Sequence, residues 1–141
     1  MSRPAMILAV LGLAGLPGCV SGPNEKIFDA GSGQAQLRSV QSRTFAAVNA
    51  ERALRATIAT LQDLGFVIDK ADAVLGTVSG TKLAGYEVRM TVSVLPRGPG
   101  QVLVRANAQF NGIKAIEDPK PYQDFFAALE KSLFLNEQPA P

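Results

Sequence analysis

Apolar residues recur along the chain in two spacings, and each predicts a different element. Leu54, Ile58, Leu61 and Leu64 stand four, three and three residues apart, the repeat of one side of an amphipathic helix. Asn49 lies just ahead with a side chain suited to cap that helix, and Glu51 sits in its first turn, where negative charge suits the helix dipole. Gly65 follows as a residue able to take the left-handed conformation that ends helices, and Phe66 can fold back onto Leu61. Tyr86, Val88, Met90, Val92 and Val94 instead alternate with Glu87, Arg89, Thr91 and Ser93. That period of two predicts a strand with one apolar and one polar face. Val102, Val104, Ala106, Ala108 and Phe110 repeat the alternation, with Gln101, Arg105, Asn107 and Gln109 opposite. The Pro- and Gly-rich run Pro96-Arg97-Gly98-Pro99-Gly100 between the two predicts an antiparallel hairpin.

Weaker patterns complete the layout. Residues 42–48 predict a first strand with Phe45 and Ala47 on one face and Arg43 beside them; the pattern leaves the side of Arg43 open. Residues 66–68 start a strand, 69–73 read as a bend, and 74–82 continue as strand interrupted by Gly76 and Gly80, as glycines at a bulge or close backbone approach do. Leu83-Ala84-Gly85 turns the chain. Asp118-Pro119, or Pro121 one turn later, opens a second helix whose apolar side is Tyr122, Phe125, Phe126, Leu129, Leu133 and Phe134. The order is β-α-β-β-β-α. The economical packing is an α+β two-layer sandwich, an antiparallel sheet of four to five strands with two helices on one face. Four of the nine aromatic residues lie on the second helix, and core is their default role in so small a domain.

The ends of the chain read differently. Ala5 to Leu16 is an uncharged apolar run behind Arg3. It is shorter than the roughly 20 residues a membrane-spanning helix needs and fits the apolar part of a secretory signal. The run leads into Leu16-Pro17-Gly18-Cys19, which resembles the lipobox of bacterial lipoproteins. That resemblance implies a diacylglyceryl group on the Cys19 sulfur, cleavage before Cys19 and acylation of the new amino terminus. Several acyl chains on one residue anchor a protein stably where one is marginal. Residue 20 is Val; in that family an Asp there commonly retains the protein in the inner membrane, so its absence implies the outer membrane, facing the periplasm. Residues 1–18 are therefore expected as a signal peptide, 19–40 as a lipidated flexible tether, 41–135 as a single domain and 136–141 as a frayed tail. The tether is rich in Gly, Pro, Ser and Gln, with Ile27-Phe28 as its apolar interruption. As flexible coil such a segment reaches roughly 25 Å.

Composition narrows the chemistry. The chain has 14 Lys+Arg against 12 Asp+Glu, no His, no Trp and one Cys. There is no imidazole for a Ser–His–Asp triad, a Cys–His dyad or a metal site, and no second thiol for an internal disulfide or a thiolate zinc site. A formal charge of +2 with few aromatics beside the basic residues argues against nucleic acid as a partner. Ser79-Gly80-Thr81-Lys82 matches the Ser-x-x-Lys nucleophile motif, but on a strand that odd spacing puts the two side chains on opposite faces. Gly31-Ser32-Gly33 lacks the strand, Lys and helix that a phosphate-cradling loop requires. Asp69 and Asp72 are expected to shape a turn rather than hold calcium, which needs six or more patterned oxygens. Glu117-Asp118 suits a helix start.

Leu61-Gln62-Asp63-Leu64-Gly65-Phe66-Val67-Ile68, followed by Asp72-Ala73-Val74-Leu75-Gly76-Thr77-Val78, is similar to the repeated helix-grip domain of the C lipoprotein of the outer-membrane β-barrel assembly machinery. The resemblance covers about twenty residues and the general layout; here there is one such domain and a much shorter extended segment. It implies a fold and a binding role and no catalytic residue. The expected protein is a non-enzymatic binding or assembly module of the cell envelope. It needs no cofactor beyond the covalent lipid on Cys19, is held to the membrane by that anchor, and has an envelope protein as partner. Arg43, Arg89 and Arg105 are its candidate binding face, suited to an acidic partner or a lipid phosphate. The alternative is a carrier for a small ligand, lipid or lipopolysaccharide in a cavity between helices and sheet.

Overall fold

A computed structural model describes residues 33–135. The segments expected as signal peptide (1–18) and tail (136–141), Cys19, and most of the stretch expected as tether (19–40) lie outside the described residues. The fold is α+β, with an antiparallel sheet and three helices. In chain order it comprises α1 (residues 33–40), β1 (Ser42–Ala46), α2 (Ala50–Asp63), β2 (Val67–Asp72), β3 (Thr77–Leu83), β4 (Glu87–Pro96), β5 (Gln101–Phe110), β6 (Lys114–Ala115) and α3 (Lys120–Leu135). The sheet order is β1-β5-β4-β3-β2, with β6 also paired to β5. Every pairing is antiparallel. Relative to the expectation of four to five strands and two helices, the structure adds β6 and α1.

Helix α1 corrects the flexible-coil expectation for residues 33–40. Leu37 and Val40, three residues apart, pack against the core, so that stretch buries enough apolar surface to favour a helix over a polar linker. Helix α2 follows the sequence closely. The Asn49 side chain accepts from the Arg52 N–H at 2.8 Å. At the other end Gly65 lies at φ +88°, its N–H donates to Gln62 O at 3.0 Å and that of Phe66 to Leu61 O at 2.9 Å. Those two bonds satisfy carbonyls that a helix end otherwise leaves open. The buried side of α2 includes Ala53, Ala56, Thr57 and Thr60 with Leu54 and Leu61; Ile58 and Leu64 are its half-buried margins. Small residues at the centre let the helix approach the sheet closely.

Strand β1 ends at Ala46 rather than continuing to residue 48. Ala47 is exposed at φ 58°, and Val48 is the buried residue. The expected bend at 69–73 is instead continuous strand. Asp69 is the extra residue where the β2–β3 register slips between Ile68 and Lys70, a bulge. The chain turns later, at residues 73–76. Asp72 Oδ1 accepts from the N–H groups of Val74 and Leu75 at 3.0 and 2.9 Å, and Gly76 takes φ +64° against β4. A Cβ on Gly76 would stand 2.4 Å from Val94 O, so only glycine fits.

The core runs between the apolar sheet face and the helices. Val78, Met90, Val92, Val94, Val102, Val104, Ala106 and Ala108 meet Leu54 and Leu61 of α2 and Tyr122, Phe125, Phe126, Leu129 and Leu133 of α3 in one buried cluster. Phe134, expected on that side, is 63% exposed, because α3 turns it away just beyond Leu133. The Asp118 carboxylate accepts from Lys120 N–H at 2.9 Å, which starts α3 one residue after Pro119.

Tyr122 closes the outer edge of β5. β1 covers residues 101–105 of that strand and β6 covers 109–110. In the gap, Ala106 N–H donates to Gln41 O at 2.8 Å and Ile116 N–H to Ala108 O at 2.9 Å. Ala108 N–H donates to the Tyr122 hydroxyl at 3.3 Å, which itself donates to Ile116 O at 2.6 Å and accepts from Gln41 Nε2 at 3.2 Å. A side chain thus completes a ladder whose open groups would be costly to bury.

Candidate functional site

The register sorts the strand residues into two faces. Arg89 pairs with Gln109 and Thr81, and Arg105 with Ser42 and Ser93. These positions alternate with the buried valines and alanines, so both arginines project from the face that no core residue covers. Around them stand Thr91, Asn107, Gln101, Thr44, Thr77 and Ser79, exposed or half-buried. Strand spacings put Arg89 and Arg105 about 14 Å apart. Arg89 lies 3.6 Å from Glu87 of its own strand, and Arg105 Nε donates to Ser42 Oγ at 3.4 Å. On this face Leu103 is only 9% exposed, flanked by Thr44 and Leu95 on the neighbouring strands.

Arg43 does not join them. It pairs with Val104, two residues from half-buried Phe45, and so belongs to the helix-facing side. Its guanidinium donates to Glu130 at 3.2 Å and lies 5.1 Å from the centre of the Phe126 ring, both on α3. The three-arginine face is therefore corrected to two, because the β-strand period carries Arg43 to the side of Phe45.

The acidic candidates have structural partners. Asp69 accepts from the Thr81 hydroxyl at 2.6 Å, and Asp72 holds the turn already described. Ser79 and Lys82 fall on opposite faces of β3, opposite Thr91 and Val88 respectively. Among the described residues no group of three or more Cys, Asp and Glu could hold a metal ion, and no helix is long and apolar enough to cross a membrane.

Two features go beyond the sequence pattern, which predicts strand at Val74 and Leu75 and gives a cavity between helices and sheet only as an alternative without a place. Val74 and Leu75, expected within a strand, sit at the tip of the β2–β3 turn, 96% and 64% exposed. Their signal was the Asp-x-x-x-Gly frame of Asp72 and Gly76. The other is a cavity of about 330 Å³ at the end of the core where α2 stops and α3 starts. Lys82 lies on its wall, donating to Leu64 O at 2.8 Å and 5.8 Å from the Phe66 ring centre. Tyr86, just ahead of β4, meets Phe110 edge-on with ring centres 5.0 Å apart. At the α3 side Lys120 donates to both Asp124 oxygens at 3.1 and 2.8 Å, which holds its ammonium above the ordinary lysine range. A wider crevice of about 710 Å³ lies between α1 and the segment leading into α3, beside Leu37, Val40 and Pro119. Compared with protein-family models and with curated proteins, the chain matches none.

Proposed function

We propose that the protein is a non-enzymatic binding or assembly module of the bacterial envelope, anchored through acylated Cys19 to the outer membrane and facing the periplasm. The observation that carries the binding role is the polar sheet face on which Arg89 and Arg105 stand apart among Ser, Thr, Asn and Gln side chains. A flat surface of this kind offers many hydrogen-bonding groups and two planar cations, suited to an acidic protein partner. In this reading α2 and α3 form one layer against the sheet in a two-layer, helix-grip-like arrangement, which leaves the other face for contact. The anchor confines the domain beside other membrane-bound proteins and raises their effective concentration. The absence of His from the chain and the structural engagement of Asp69 and Asp72 support a role without catalysis. A carrier for a small ligand or lipid is the second reading, favoured by the cavity beside Lys82.

Two experiments test this reading. Cells fed labelled palmitate should yield labelled protein, and Cys19→Ser should abolish the label; an unlabelled wild-type product at precursor mass overturns the anchor. Cross-linking in intact cells should capture an envelope protein, and Arg89→Glu with Arg105→Glu should reduce that capture severalfold. Unchanged capture by the double variant removes the sheet face from the proposal.

A further inference from the structure

Lys82 occupies a position where the sheet pattern calls for an apolar residue. It continues the line of Val78 and Gly80 on the helix-facing side of β3 and pairs with Val88. Near the β4–β5 hairpin this face is sealed, and Val92, Val94, Val102 and Val104 are buried. At the opposite end Leu64, which caps α2, is half-buried, and so are Val88 and Phe110 of the sheet, because α2 ends before it can cover them. The 330 Å³ cavity there falls within the size range of small-ligand sites, which combine apolar walls with a few placed polar groups.

The charges at the cavity are unequally satisfied. Asp118 caps α3 through Lys120 N–H, and Asp124 receives both bonds from the Lys120 ammonium. Lys82 gives one proton to a neutral carbonyl, Leu64 O, and has an aromatic ring beside it. An ammonium has three donors, so two remain for an acceptor arriving from outside. We propose that this cavity binds the acyl chain of a single-chain amphiphile with an anionic head, carboxylate or phosphate, and that Lys82 holds the head. The accessible sides of Tyr86, Val88 and Phe110 take the chain, over a floor made by the buried Phe66, Met90 and Ile116. The inference stands on the folded domain alone and requires neither acylation of Cys19 nor use of the arginine face.

The test is titration of the purified full-length chain, in its Cys19→Ser form, with laurate, lauryl phosphate, dodecanol and dodecyltrimethylammonium below their micelle concentrations. Laurate and lauryl phosphate should saturate one site, and dodecanol should bind at least tenfold more weakly. Tighter binding of laurate points to a free fatty acid as the source, and tighter binding of the phosphate to a lysophospholipid type of head. Lys82→Met should weaken both anions tenfold or more while leaving dodecanol unchanged. Amide chemical-shift changes in the unmodified domain should centre on Val88, Phe110 and Ile116, a readout that needs no cavity variant to fold. Absence of saturable binding, equal affinity for all four probes, or shifts centred on the outer sheet face or the α1 crevice each overturn the proposal. So does a Lys82→Met protein that melts earlier yet binds laurate as before, since Lys82 would then serve only to cap α2.

Discussion

The two faces of the sheet are built by alternate residues of the same strands, yet they carry different kinds of information. The helix-facing side is made of Val, Ala and Met against Tyr122, Phe125 and Phe126, almost all fully buried. The other side is mostly Ser, Thr, Asn, Gln and Arg, with hydroxyls and amides open to water and a few apolar residues such as Leu95 and Leu103 toward one end. Arg43 and Arg105 make the lesson concrete. They lie on paired strands one register step apart, but one braces α3 and the other stands on the open face. Residue type alone does not decide what an arginine does; the parity of its position does.

The contrast predicts a descending series of effects. Phe125→Ala removes a fully buried ring and should lower stability by about 3–5 kcal/mol, measured as a reduced urea midpoint. A loss below 1 kcal/mol would mean that the helix-facing side is not packed as described. Tyr122→Phe keeps the ring and deletes the hydroxyl that bridges Ala108, Ile116 and Gln41. Stranding those buried groups should cost about 1–3 kcal/mol, with faster amide exchange at Ala108 as the local sign. Thr60→Val should act in the opposite direction. The Thr60 hydroxyl is buried without a hydrogen-bond partner among the described residues, so an isosteric apolar side chain should stabilise by about 1 kcal/mol; a lower melting temperature for this variant would show the hydroxyl to be bonded in solution. The smallest effects compare the arginines. Arg43→Gln should cost up to about 1 kcal/mol through the lost Phe126 and Glu130 contacts, which are partly exposed. Arg105→Gln should stay within about 0.5 kcal/mol. If paired urea curves show the reverse order, the assignment of faces is wrong.

Much of the interior was legible along the chain because it obeys local rules. The Asn49 cap, the Gly65 terminus and the β4–β5 alternation each depend on neighbours within a few residues, and each appears as expected. The misses share a cause. Helix α1 gains its stability from Leu37 and Val40 touching a core built much later in the chain, which composition cannot register. Strand β6 was missed although Asn111-Gly112 is a strong turn signal; both residues adopt positive φ, 49° and 67°, and send a very short strand back along β5. The bend expected at Asp69 became a bulge because pairing with β3 keeps the strand running, so the turn moved to Asp72 and Gly76.

The candidate sites divide in the same way. Alternation was enough to put Arg89 and Arg105 opposite the valines, since a strand reverses its side chains at every residue. It could not say that Arg43 reaches α3, or that Lys82 lines a cavity left where α2 stops short. Those facts depend on which helix end meets which strand end, distances closed between residues up to 87 positions apart. Local spacing determines the elements and their two faces; the packing of those elements against one another decides which polar groups find partners inside the molecule and which are left to meet something outside it.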